Sequence, residues 1–429
     1  MKYGLIGEHL PHSFSKEIHA LCADYEYELC ELTRDAVGDF MQKADFSAIN
    51  VTIPYKQTVM PYLYEIHGQA QAIGAVNTVV KKDGRLYGYN TDFYGMLALV
   101  KRIGIELRGK KVLVLGTGGT AHTARAVIAA EGARELITVE RWTEPDKNII
   151  SYEEAYERHT DADVIFNTTP CGMFPYADGG PDIVGTPIDI SRFPSLCGVV
   201  DVVYNPLRTN LIVDAKERGI PAEGGLYMLV GQAVVASRIF LGERIEDVAK
   251  DPETYKEIDR VFDLIIRQKE NIVLTGMPGS GKSTVGKALA RALGKPFYDT
   301  DEIIVKMAGK PITEIFSELG ETGFRKLESE AVIKTANEKS GAIIATGGGA
   351  ILRDDNVRAL KRNGRLYFLN RSLSALLPTA DRPLASSAEA IKKRFEERYD
   401  RYIATADREI VTDEVIEHTV NKIIEDFKK

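Results

Sequence analysis

Apolar and polar positions along this chain fall into short blocks that switch between a strand-like and a helix-like period. From Lys2 to Gly7 an apolar run reads as a strand opening into a loop, Ala48 to Ile53 as a second strand, and Ala75 to Val80 as a third. Helical spacing lies between them, as over 55–73, so this part of the chain alternates strand and helix and predicts an α/β layer. KVLVL over 111–115 is a continuous apolar strand, the mark of burial on both faces. A glycine loop and helix, GTGGTAHTARAVIAAEGA, follow it, and then the strand LITVE, which together make one βαβ unit. Further strands are expected at 163–166 and 198–203, with helices over 211–218 and 226–241. Residues 243–269 are charge-rich with helical spacing and one break at Pro252, which predicts a linker containing a helix. Strand 271–275 (NIVLT) restarts an α/β pattern that runs to the end.

Composition narrows the class. A chain of 429 residues suggests two or three domains, and 44% hydrophobic with 27% charged residues is ordinary for a soluble globular protein. The net charge of −7 leaves no basic footprint for nucleic acid. Four cysteines without CxxC or other metal-like spacing read as reduced thiols. No stretch approaches the roughly 18 apolar residues of a membrane helix, and the first residues do not form a signal peptide. A cytoplasmic protein with no membrane partner is expected, and nothing in the sequence marks an oligomeric state.

The chemistry begins with Gly276-Met277-Pro278-Gly279-Ser280-Gly281-Lys282-Ser283-Thr284 between an apolar strand and a helix. Its glycines let backbone N–H groups turn toward phosphate oxygens. Lys282 can reach the β and γ phosphates, and Ser283 can hold Mg²⁺. A nucleoside triphosphate is expected over 279–284. Asp299-Thr300-Asp301-Glu302 follows the next strand; two carboxylates at i and i+2 on a strand point the same way, one toward Mg²⁺ and one toward an attacking hydroxyl. Ile343–Thr346 then runs into Gly347-Gly348-Gly349, where backbone must approach something closely.

With Gly323-Phe324-Arg325 and Glu328, Arg382-Pro383-Leu384, and Arg398 followed by Tyr402, Ala406 and Asp407, these pieces resemble shikimate kinase over about 270–429. The resemblance implies ATP and Mg²⁺, with Ser283 and Asp299 serving the metal and Lys282 and Arg382 the phosphoryl group. It also implies that Asp301 orients or deprotonates the attacking hydroxyl, that Arg325 and Arg398 clamp the substrate carboxylate, and that Gly347, Gly348 and Gly349 line the acceptor site. The stretch LLPTADRPLA departs from the family in being short, with Pro378 where relatives carry another arginine.

The first half carries a second chemistry. Gly116-Thr117-Gly118-Gly119-Thr120-Ala121 after KVLVL is a variant dinucleotide fingerprint. Pro11-His12-Ser13-Phe14-Ser15 puts two hydroxyls two apart in a loop, able to grip a carboxylate. Asn50-Val51-Thr52-Ile53-Pro54-Tyr55-Lys56 carries a strand to a turn ending in lysine, and Asn77-Thr78 and Asn90-Thr91-Asp92 end later segments. Lys56 and Asp92 are a candidate proton-handling pair, although their distance in sequence does not itself bring them together.

With Tyr204-Asn205-Pro206, Asn167-Thr168-Thr169-Pro170 and Gly225 through Gln232, the set resembles shikimate dehydrogenase over 1–245. The resemblance implies a substrate site lined by Ser13, Ser15, Thr52, Asn77, Asp92, Tyr204 and Gln232, with Lys56 and Asp92 catalytic. It implies dinucleotide contacts from Gly116, Gly118, Gly119, Thr120, Ala121, Glu140, Arg141 and Thr168. NADP-using relatives usually show Asn-Arg-Thr where this chain reads Glu140-Arg141-Trp142-Thr143. Arg141 suits a 2′-phosphate and Glu140 a free 2′-hydroxyl, so NADP is expected, with NAD the alternative.

The fold expected is therefore α/β throughout. Residues 1–98 with 226–245 form a substrate domain, 99–225 a Rossmann-like domain, 246–269 a helical linker, and 270–429 a P-loop kinase domain with a parallel sheet. The function expected is reduction of 3-dehydroshikimate to shikimate followed by phosphorylation of its 3-hydroxyl. The alternatives are one catalytically silent half, or a quinate/shikimate dehydrogenase joined to a kinase for a related acid.

Overall fold

Three sheets form where the apolar runs lie in the computed structural model, which describes residues 1–10, 13–174, 185–376 and 388–428. The chain divides into two units, Met1–Ile265 and Ile266–Lys429.

In the first unit, one six-stranded sheet has the order Tyr27–Glu31, Tyr3–Gly7, Ala48–Val51, Thr78–Lys82, Arg85–Tyr89, Glu65–Ile66. It is mixed: Thr78–Lys82 runs antiparallel to both of its neighbours. The second sheet is parallel throughout, in the order Ala222–Glu223, Gly198–Asp201, Val164–Asn167, Lys111–Leu115, Glu135–Glu140, Ile149–Ser151. Every residue of Lys111–Leu115 is buried, as its unbroken apolar run requires. Between the two sheets the helices Asp92–Arg102 and Gly225–Phe240 pack together. A side chain at Gly95 would begin 2.4 Å from the Met228 carbonyl oxygen, and one at Gly231 would begin 3.0 Å from the Gly95 Cα. The absence of side chains at both glycines lets these backbones touch.

The second unit holds a five-stranded parallel sheet in the order Phe297–Asp299, Ile343–Ala345, Asn271–Thr275, Gly364–Asn370, Arg408–Val411. Buried Ile272, Leu274, Ile343 and Leu369 fill one face of the sheet, and Val273, Ile344, Leu366 and Phe368 the other. No helix of the described residues is long and apolar enough to cross a membrane.

Three expectations change. Residues 55–73 are not one helix; turns, a 3₁₀ segment Met60–Tyr62, a short strand and the helix Gly68–Ile73 replace it. Pro61 lacks the N–H that a continuous helix would need there. Asp301 does not share a strand with Asp299: the strand ends at Asp299, which caps the helix Thr300–Ala308 by accepting from the Asp301 N–H at 3.0 Å. In the segment expected as a linker, Pro252 opens the helix Pro252–Lys269 rather than breaking one. Much of that helix packs within the first unit, where Asp259 accepts from Arg102 and from the Tyr227 hydroxyl, each at 2.8 Å.

Candidate active sites

In the first unit, Lys56 and Asp92 stand 36 positions apart in sequence, yet Lys56 Nζ donates to Asp92 Oδ2 at 2.6 Å. Tyr55 sets this up: its ring is buried and its hydroxyl bonds to the Leu32 carbonyl at 2.5 Å, so the turn is pinned and the next side chain is turned the other way. Asp92 begins the helix Asp92–Arg102, where the unpaired N–H groups favour a negative charge.

Thr91, just before it, is the centre of a buried polar knot. Asn77 Oδ1 accepts from the Thr91 N–H at 2.7 Å, and Asn77 Nδ2 donates to Thr91 Oγ1 at 3.0 Å. Thr91 Oγ1 also lies 3.4 Å from Gln232 Oε1, reached because the glycine crossing brings Gly225–Phe240 so close. Asn50 braces the knot through Thr78 Oγ1 at 3.1 Å and the Asn77 carbonyl at 3.3 Å.

Ser13 Oγ accepts from the Ser15 N–H, and Phe14 between them meets the Tyr204 ring edge-on at 5.5 Å. Burial pushes the Tyr204 hydroxyl pKa up, so it stays a neutral donor. Thr52 follows the strand Ala48–Val51 and bonds through its N–H to Ile6. His12 lies outside the described residues.

The glycine loop at 116–121 fits a dinucleotide. Gly116 has φ +96°, and a side chain there would begin 2.9 Å from Thr169 Cγ2. Thr168 Oγ1 donates to the Leu115 carbonyl at 2.6 Å, holding the neighbouring loop against it. Nothing lies within 4 Å of where side chains would begin at Gly118 and Gly119, so the N-terminus of the helix Gly119–Ala130 is open to a pyrophosphate. Thr120 is half-buried and Ala121 buried at the foot of that helix. Glu140 ends the next strand and accepts from Thr117 Oγ1 at 3.3 Å and from the Arg141 N–H at 3.1 Å, while the Arg141 side chain is exposed.

In the second unit one cavity of about 490 Å³ gathers the P-loop, Asp299, Asp301, Arg325, Gly347–Gly349 and Arg398. Gly279 and Gly281 take φ +83° and +91°, the left-handed turns that a phosphate cradle needs. Lys282 Nζ donates to the Gly276 and Met277 carbonyls at 2.8 and 2.9 Å, and Ser280 Oγ is buried in the loop without a partner among the described residues. Thr284 lines the same cavity. Ser283 Oγ donates to Asp299 Oδ2 at 2.6 Å. Two adjacent oxygens of a hydroxyl and a carboxylate are the kind of donors that would hold Mg²⁺.

Each of the three glycines faces a different segment. A side chain would begin 2.7 Å from Asp301 Oδ1 at Gly347, 2.8 Å from Pro278 Cδ at Gly348, and 2.0 Å from Arg325 Nη1 at Gly349. Gly320, at φ +65°, breaks the helix Ile312–Glu338 and lets its second part present Arg325 and Glu328 together. Arg325 Nη1 bonds to Glu328 Oε2 at 2.6 Å and Nη2 to Glu321 at 3.1 Å. Burial works against the charge on Arg325, but Glu328 and then Glu321 outweigh it and hold the guanidinium above its ordinary pKa. Arg398 donates to the Gly348 carbonyl at 3.1 Å, beside the Tyr402 hydroxyl at 2.5 Å. Its pKa is pushed down by burial first, opposed by Tyr402, and then by the nearby charges of Arg325 and Arg394, an environment that favours an incoming anion. Arg382 lies outside the described residues.

Comparison with known proteins finds a family for each part of the chain. Residues 278–428 match the family "Shikimate kinase", and 5–79 match "Shikimate dehydrogenase substrate binding domain". A shikimate dehydrogenase (NADP(+)) of Clostridium perfringens (strain SM101 / Type A) is 36% identical over 272 residues, covering 60% of this chain and 97% of that protein. The chain belongs to the shikimate dehydrogenase family, with a shikimate kinase domain following. The crystal structure of shikimate dehydrogenase 1 from Peptoclostridium difficile superposes with TM-score 0.52 at 30% identity, over 62% of this chain and 98% of that one. The shikimate 5-dehydrogenase of Thermus thermophilus in complex with NADP(H) and shikimate gives 0.51 at 28%, over 61% and 99%.

In the dehydrogenase unit, sequence reasoning missed Asp201. It is fully buried, accepting from Asn167 Nδ2 at 3.0 Å, the Val203 N–H at 3.0 Å and Thr209 Oγ1 at 2.6 Å, so one carboxyl ties the 167–172 loop to the segment carrying Tyr204. A lone aspartate closing the apolar strand GVVD was the available signal. In the kinase unit it missed Thr300, whose hydroxyl accepts from the Gly347 N–H at 2.9 Å, and Glu328 as the holder of Arg325.

Proposed function

We propose that the chain performs two successive reactions: NADPH-dependent reduction of 3-dehydroshikimate to shikimate, then Mg²⁺- and ATP-dependent phosphorylation of the shikimate 3-hydroxyl. The observation that carries the second step is the Gly347–Gly349 turn, where the acceptor-facing Asp301, the P-loop and the Arg325 clamp meet on consecutive residues. The first step rests on the Lys56–Asp92 pair beside Asn77 and Gln232.

In the dehydrogenase unit Ser13, Ser15, Thr52, Asn77, Tyr204 and Gln232 bind and orient the acid. Lys56, held by Asp92, supplies the proton at the C3 oxygen. The reduced nicotinamide, when bound, supplies the hydride. Gly116, Gly118, Gly119, Thr120, Ala121, Thr168, Glu140 and Arg141 hold the dinucleotide, and the exposed Arg141 side chain can meet a 2′-phosphate. The names of the relatives favour NADP.

In the kinase unit Arg325 and Arg398 clamp the carboxylate, and Asp301 draws the proton from the attacking 3-hydroxyl. Gly279 to Thr284 cradle the triphosphate, Lys282 neutralises charge on it, and Ser283 and Asp299 would hold Mg²⁺, which would supply further neutralisation of the charge on the transferring phosphoryl group.

The test supplies 3-dehydroshikimate, NADPH or NADH, ATP and Mg²⁺ to the full chain and follows products over time. Shikimate and then shikimate 3-phosphate are expected. No shikimate with either cofactor refutes the first step, and shikimate that is never phosphorylated refutes the second.

A further inference from the structure

The kinase cavity contains a cation for which the functional reading above has no role. Arg371 follows directly on the strand Gly364–Asn370, which pairs in parallel with the P-loop strand Asn271–Thr275, Thr275 opposite Phe368. The end of that strand therefore lies beside the start of the phosphate loop. The Leu369 carbonyl oxygen sits 2.9 Å from where a Gly276 side chain would begin, and Arg371 lines the same cavity as Lys282 and Ser283.

Its neighbours are committed elsewhere. Arg325 is held by Glu328 and Glu321, Arg398 by the Gly348 carbonyl, and Lys282 by two loop carbonyls. A carboxylate that the adjoining strand offers, Glu409, takes the Asn370 side-chain amide at 2.6 Å. Arg371 is half-buried and makes no hydrogen bond or ion pair among the described residues. A guanidinium fork with five donors, partly withdrawn from water and without an acceptor among the described residues beside a phosphate loop, suits an anion that arrives with the ligand.

We infer that Arg371 binds the polyphosphate of the nucleotide, as a second cation beside Lys282. This rests on the kinase reading above. It adds a residue on the fixed strand end, distinct from the clamp on the acceptor acid.

The test compares wild-type full chain with Arg371→Gln and Arg371→Lys, measuring MgADP affinity by calorimetry and the steady-state constants for ATP and shikimate separately. Arg371→Gln is expected to weaken MgADP and raise KM for ATP by about 10- to 100-fold, the usual range for one charge-assisted bond. KM for shikimate should stay within a factor of about two, and Arg371→Lys, which keeps charge but loses the fork, should fall between. Retained shikimate affinity and kinase turnover at saturating ATP report that the kinase unit of each variant is folded. Unchanged MgADP affinity in both variants means a merely solvated arginine and overturns the assignment; so does a rise in KM for shikimate in place of that for ATP. A wild-type chain that binds no MgADP removes the kinase reading, and this assignment with it.

Discussion

Gly349→Ala isolates the substrate clamp proposed for the kinase unit. The backbone at Gly349 has φ −108° and ψ −5°, which alanine adopts freely, so any effect comes from the added methyl group. That methyl would begin 2.0 Å from Arg325 Nη1 and 2.4 Å from Cζ. To reach ordinary contact the guanidinium must retreat by roughly 1.5–2 Å. It is held in place by Glu328, only 1% exposed, so it cannot simply swing away with its partner. Losing the charge-assisted bond to the substrate carboxylate costs about 1.5–3 kcal/mol, or roughly 10- to 100-fold in kcat/KM for shikimate. The loss should fall mainly on KM for shikimate.

Gly348→Ala is the matched control: its methyl meets Pro278 of the P-loop at 2.8 Å rather than an arginine, so its effect should be smaller and fall on ATP. The assay is shikimate-dependent ADP release with each substrate varied in turn. The reasoning is refuted if Gly349→Ala leaves KM for shikimate within about threefold of wild type, or if the two variants affect the same substrate.

Three further outcomes follow from the geometry. Lys56→Ala should abolish reduction of 3-dehydroshikimate while phosphorylation of added shikimate continues, and Lys282→Ala should do the reverse; loss of both activities from either change refutes separate sites. Burial raises the Asp201 pKa to about 7, against which Thr209, Val203 and Asn167 act. A pKa raised on folding contributes stability that is present below the unfolded value of 3.8 and is lost as pH rises through about 7. Relative to Asp201→Asn, the wild type should therefore lose up to about 4 kcal/mol between pH 4 and 8 in urea titrations, and a pH-independent difference would contradict this. Glu140→Ser removes a carboxylate near the position proposed for a 2′-phosphate, worth about 1 kcal/mol of repulsion at contact distance in water. NADPH affinity should rise several-fold while NADH affinity does not, read from fluorescence of Trp142, the chain's sole tryptophan and 53% exposed; equal changes for both cofactors would exclude that placement.

Much of the fold was legible because strands buried on both faces leave unbroken apolar runs, as KVLVL and NIVLT do. What failed was where elements stop. The i, i+2 spacing of Asp299 and Asp301 looks the same whether the strand continues or ends. Yet D-T-D-E also has the spacing of a helix-capping box, and the structure uses Asp299 as that cap. The Lys56–Asp92 contact was not derivable from spacing, because it joins the turn after the strand Ala48–Val51 to the start of a helix 36 positions on. Gly347–Gly349 announced close approach but not by what, since Asp301, Pro278 and Arg325 come from three distant segments. Arg371 was invisible for the same reason: its meaning depends on which strand lies beside the P-loop.

The two sites make opposite demands on one oxygen. In the proposed reduction the C3 oxygen gains a proton as it gains negative charge, so the group facing it should be a cation with protons to give, and an ammonium steadied at 2.6 Å by a carboxylate is such a donor. In the phosphorylation the same oxygen must shed that proton while attacking a dianionic phosphoryl group, so it needs an acceptor instead. Asp301 has that character: Asp299 accepts from its N–H and fixes the backbone, while its carboxylate lies against Gly347 on the wall of the cavity. Exchanging the characters of these groups would disable both steps: a cation at 301 would hold the hydroxyl proton in place, and a carboxylate at 56 would repel the developing alkoxide. The pairing of a donor site with an acceptor site on one chain is thus what making a hydroxyl and then consuming it requires.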